Sequence, residues 1–71
     1  MVAVSTSNIL SVLDEAISHM EHARAYVYLS SAPMEGDATI ALKIKGIYEM
    51  KTAKAKMNEA LGELRGELNI Q

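Results

Sequence analysis

"SSAPMEGDA", residues 30–38, decides the fold. It is the only cluster of turn-forming residues beyond the first ten positions, and it holds the single proline. Pro33 has no amide hydrogen and cannot continue a helix, and Gly36 a few residues on reinforces the break. Asp37 then sits where a helix N-cap belongs, because its carboxylate can accept from the free amides of the next turn. A helix-breaking stretch near mid-chain divides the sequence into two arms, so the patterning of each arm sets the architecture.

In the upstream arm Ile9, Leu13, Ala16, Met20, Ala23 and Val27 recur at spacings of four and three, and Leu10 and Ile17 widen the stripe. Asp14, Glu15, Ser18, His22 and Ala25 fall on the other side. This is amphipathic helix, not strand alternation. Helix one is expected over about residues 8–30, with Ser7 or Asn8 of "STSN" as its cap. Helix two is expected over about 38–69, with a stripe of Ile40, Ile44, Ile47, Met50, Met57, Leu61, Leu64 and Leu68 interrupted at Lys54. Gly46, Gly62 and Gly66 each weaken that helix by up to about 1 kcal/mol relative to alanine. Gly62 and Gly66 share a side, which close approach of another helix or fraying near the end would explain.

The predicted fold is all-α: one domain over residues 1–71, an antiparallel two-helix hairpin with its loop at about 31–37. Position 24 then lies near 43, and position 10 near 57. At about 1.5 Å per residue the second helix outruns the first, roughly 48 Å against 33 Å. Leu64 and Leu68 would overhang, with only "MVAVS" to cover them. Each stripe is also wider than one partner helix covers. Both features predict a homodimer closed into a four-helix bundle, or a higher oligomer.

Composition agrees with a small self-associating scaffold. A 71-residue chain has a marginal core and ordinarily needs a staple. With no cysteine, disulfides and thiolate metal sites are excluded. Apolar residues make up 49%, too many for intrinsic disorder, yet no apolar run reaches the length of a membrane span. "MVAVSTSNIL" lacks the basic and apolar regions of a secretory signal, so a cytoplasmic protein without a membrane partner is expected. The net charge of −2 hides an asymmetry: residues 1–37 carry five acids and one base, residues 38–71 six bases and four acids.

Three groups of residues could carry chemistry. "EAISHMEH" places Glu15, His19 and His22 on one side of helix one, a spacing that could hold zinc or another transition metal. The trio points away from the apolar stripe and lacks the Glu-x-x-His of bundle di-iron sites, so a solvated helical face is the plainer reading. No metal or other cofactor is assigned. No nucleophile motif, phosphate-cradling glycine loop or enclosed pocket is evident, so the chain reads as a non-enzyme.

The second group lies in "KIKGIYEMKTAKAKM", residues 43–57. Lys45 and Lys56 read as solvated, whereas Lys43, Lys51 and Lys54 fall within or beside the stripe. Arg24 interrupts the stripe of helix one. Cations gathered on an apolar face need an anion. Candidates are Glu21, Glu49, a carboxylate of a second subunit, or the phosphate of a nucleotide or nucleic acid with Tyr26, Tyr28 or Tyr48 stacked on a base. The third group is the methionines, Met20, Met50 and Met57 in the stripes and Met34 in the loop, whose flexible thioethers suit partner surfaces.

These observations favour a small protein–protein interaction module, an adaptor, inhibitor or regulator. It would pair with itself and with another protein through Leu13, Ile17, Met20, Val27, Ile47, Met57, Leu61, Leu64 and Leu68. The alternatives are an anion binder using Arg24, Lys43, Lys51 and Lys54, and a structural subunit of a larger helical assembly.

Overall fold

Two antiparallel helices, α1 (Val2–Leu29) and α2 (Gly36–Leu68), pack side by side in the computed structural model. It describes residues 2–33 and 36–69, with side chains from residue 6 onward. Met34 of the expected loop lies outside the described residues. Among them, no helix is long and apolar enough to cross a membrane.

α1 begins at Val2, not near residue 8. Ser, Thr and Asn are mediocre helix formers but do not stop a helix. Asn8 does not cap; its Nδ2 donates across the hairpin to both carboxylate oxygens of Glu63, at 2.7 and 2.9 Å. The helices therefore have similar lengths, 28 and 33 residues, and the expected overhang disappears. Residues 8, 15 and 26 face residues 63, 56 and 45. This register is about one helical turn from the expected one and brings Leu64 and Leu68 level with the first turns of α1.

The turn satisfies the carbonyls that the end of α1 leaves unpaired. The amides of Ser30, Ser31 and Ala32 donate to the carbonyls of Tyr26, Tyr28 and Leu29 at 3.0–3.2 Å. The hydroxyls of Ser30 and Ser31 donate to the carbonyls of Val27 and Tyr28 at 2.7 and 2.6 Å. Since α2 starts at Gly36, Asp37 lies inside its first turn and not at the cap, where its charge still complements the helix dipole. At the other end Asn69, with φ 57°, closes α2 in the left-handed conformation that asparagine tolerates.

The helices meet along a seam of small residues. Ala16, Ala23 and Ser30 recur every seventh position on α1, and Gly46, Ala53 and Ala60 do so on α2; all are buried. Ile9 and Val12 pack against Ala60, with Leu13 beside them. Gly46 marks a close approach: a Cβ there would lie 3.1 Å from Val27 Cγ2. The same test at Gly62 and Gly66 meets nothing within 4 Å, so the approach of α1 does not account for them.

The hairpin is one helix thick, 52 × 20 × 11 Å. Its radius of gyration is 16.1 Å, against about 11 Å for a compact chain of this length.

Candidate functional site: the open face and the seam behind it

Each helix carries a second seven-residue rhythm, one position beyond the buried seam. On α1 it reads Leu10, Leu13, Ile17, Met20, Arg24 and Val27. On α2 it reads Ile40, Lys43, Ile47, Met50, Lys54, Met57, Leu61, Leu64 and Leu68. A one-residue step turns a helix by about 100°, so both stripes lie to the same side of the hairpin as one face. Ile17, Ile47 and Leu64 keep 49%, 50% and 44% of their surface exposed, so one flank of each is packed and the other is open.

The expected single stripe is thus two stripes. Ile9, Ala16 and Ala23 close the hairpin, together with Val12, which the stripe omitted. The large residues Leu10, Ile17, Met20, Val27, Ile47 and Met57 do not. At the alanine positions small side chains let the two helices approach closely, whereas size does not separate Ile9 from Leu10 or Val12 from Val27, which differ in their place on the helix. An alanine methyl contributes only about 0.8 kcal/mol on burial, against about 2 kcal/mol for leucine or isoleucine. The closed seam therefore takes up the weaker half of the hydrophobic driving force.

Arg24, Lys43 and Lys54 belong to the open face, and Lys51 stands at its α2 edge; all four are exposed. Arg24 lines a shallow apolar groove of about 370 Å³ with Met20, Ala23, Val27 and Met50. None of the four cations has a carboxylate partner among the described residues. Glu49, one expected partner, is engaged elsewhere. The two edges of the face differ in sign. By helical spacing the α1 edge carries Asp14 and Glu21, and the α2 edge carries Lys51 and Arg65.

Of the two lysines expected to be simply solvated, Lys45 is exposed and Lys56 is not. Lys56 is half-buried at the seam, its Nζ 3.4 Å from Glu15 Oε2. The exposed ammonium of Lys45 lies 5.7 Å from the ring centroid of Tyr26, in cation–π range. Tyr28 and Tyr48 remain exposed.

On the side of the hairpin away from the open face, His19 Nδ1 donates to Glu49 Oε1 at 2.5 Å. His22 Nδ1 lies 3.9 Å from the same oxygen. The two imidazoles stand edge to face, with centroids 6.2 Å apart. Glu15, grouped with these histidines by sequence spacing, instead pairs with Lys56. Glu49 takes its place, thirty residues away along the chain, and no local spacing signals it.

Comparison with protein-family models, curated proteins and solved structures finds no match for this chain.

Proposed function

We propose that the protein is a non-enzymatic interaction module: a homodimer in which two hairpins bury their open faces in a four-helix bundle, leaving the outer surface for another protein. The open face carries this reading. A compact monomer of 7.7 kDa exposes roughly 4,300 Å²; this chain exposes 5498 Å². The excess, roughly 1,200 Å², exceeds the about 800 Å² that each partner commonly contributes to a stable interface.

Charge selects among the arrangements. A two-fold axis parallel to the helices sets α1 against α2 of the second copy, antiparallel, so the Asp14–Glu21 edge runs along the second copy's Lys51 and Lys54. A perpendicular axis would set like-charged edges together. The parallel axis supplies carboxylates for cations that have none in one hairpin, and interfaces that bury unpaired charge are costly.

Native mass spectrometry and sedimentation equilibrium test it. The expected species is two chains without extra mass. Glu21→Lys weakens it, and adding Lys51→Glu restores it. A helical monomer that persists at high micromolar concentration overturns the reading.

The unpaired Arg24, Lys43 and Lys54 favour a second reading, that the cations hold a phosphate of a nucleotide or nucleic-acid backbone. Extra mass matching a nucleotide on the native species supports it. Nucleic-acid affinity and salt dependence unchanged by Lys43→Gln with Lys54→Gln sink it.

A further inference from the structure

The back of the hairpin joins three residues that neither the loop nor the open face requires. His19 and His22 are one turn apart on α1, and Glu49 reaches them from α2. One ligand atom from each lies within 4.8 Å of the others. His19 and Glu49 occupy the seam, with side chains 33% and 25% exposed, and His22 forms the outer lip at 60%. We propose that His19, His22 and Glu49 form a site for a first-row transition-metal ion of the zinc class, one ion per chain, bridging α1 to α2.

The donor set points to that class. Two imidazole nitrogens and one carboxylate oxygen suit Zn²⁺, Co²⁺, Ni²⁺ or Cu²⁺, whereas Mg²⁺ and Ca²⁺ take oxygen ligands. Three protein ligands leave a position for water, the open arrangement of a three-ligand zinc site. Ligand atoms about 2.0–2.1 Å from a tetrahedral ion stand roughly 3.3 Å from one another. The present separations from Glu49 Oε1, 2.5 Å to His19 and 3.9 Å to His22, straddle that value. Binding requires His22 to move inward and the His19–Glu49 pair to part slightly. Glu15 is held off by Lys56 and is left out of the set.

Such an ion would serve the hairpin directly. The chain has no disulfide, its seam is mostly alanine and glycine, and small scaffolds commonly rely on a metal staple. Because His19 and Glu49 come from different helices, the ion binds the closed hairpin and not the separated helices, and it stabilises by mass action. The site faces away from the open face, so it does not depend on the bundle proposed above.

Titration of the full chain with Co²⁺ and Zn²⁺ tests the site. The expected results are one ion per chain by calorimetry, a micromolar Kd, and a Co²⁺ d–d absorption band of low coordination number. A hundredfold excess of Zn²⁺ over Kd should raise the melting temperature by roughly 10 °C or more. His22→Gln leaves the seam untouched and keeps the metal-free protein folded, yet should weaken binding at least tenfold. Glu49→Gln should do the same, and Glu15→Gln should change it less than twofold. No binding tighter than millimolar, or unchanged affinity in His22→Gln, overturns the site. A loss in Glu15→Gln equal to that in Glu49→Gln overturns the ligand set.

Discussion

The closed seam and the open face follow the same seven-residue rhythm, one position apart on the same helices, and they hold opposite stock. The seam is mostly alanine, glycine and serine, with Ile9 and Val12 packed on Ala60 toward one end and His19, Glu49, Lys56 and Glu63 at its margins. The open face is isoleucine, leucine and methionine with Arg24, Lys43 and Lys54 among them. Small residues specify how the helices meet, because they let the backbones come close, but they bury little area. Large residues bury area but have nothing in one hairpin to bury it against. Geometry and driving force are therefore divided between two faces, and substitutions on the two should fail in different ways.

The largest expected effect is on the open face. Ile17→Glu puts a charge where a second copy is proposed to pack. An unpaired carboxylate buried there costs on the order of 3 kcal/mol or more. Sedimentation equilibrium should show association weakened to at least a hundredfold higher Kd, with helicity at micromolar concentration falling alongside. If Ile17→Glu changes neither oligomeric state nor helicity, the face is idle and the contrast between the two regions loses its meaning.

A smaller effect is expected at the seam. Ala53 is 1% exposed and stands midway between Gly46 and Ala60. Ala53→Leu forces the helices apart and should destabilise by about 1–3 kcal/mol, the usual cost of overpacking. Urea denaturation at fixed protein concentration reads the loss. Ala53→Leu acts on the hairpin, so its effect on stability should exceed its effect on the dimer stoichiometry measured under native conditions. The reverse order is expected for Ile17→Glu.

The sequence shows part of this division and hides part of it. Pro33 and Gly36 reveal the break, and the four-and-three spacing reveals two helices, because both signals are local. The one-residue offset between the faces is not local. Ala16 and Ile17, or Ala60 and Leu61, compete for the same inward direction, and hydrophobicity ranks the larger residue first. Close helix packing ranks the smaller first, and only the opposing helix decides. The start of α1 was obscured by Asn8, a good cap whose side chain is drawn to Glu63 instead. The back-face cluster was half legible: His19 and His22 mark themselves by spacing, but Glu49 belongs to the other helix and depends on the register. Arg24, Lys43 and Lys54 stand out in the sequence as cations within apolar stripes, while Lys56 does not show its seam position.

The finest contrast between the two regions is between two glycines. In an exposed helix interior, glycine to alanine stabilises by about 1 kcal/mol, because alanine restricts the unfolded chain and glycine does not. At Gly62 an added Cβ meets nothing within 4 Å, so Gly62→Ala should gain about that full amount. At Gly46 the same Cβ meets Val27 Cγ2 at 3.1 Å, with Ala23 O and Tyr26 Cβ at 3.8 Å. The close atom is the end of a half-exposed side chain on the rim of the open face, so it can rotate aside at some cost. Gly46→Ala should therefore be near neutral, within about 0.5 kcal/mol, as the helix gain and the crowding offset each other. Denaturation of the two variants in parallel isolates the seam, since the backbone term is common to both. A Gly46→Ala variant as stable as Gly62→Ala would mean that the helices do not approach closely at Gly46 in solution. That outcome would undo the small-residue account of how the hairpin closes.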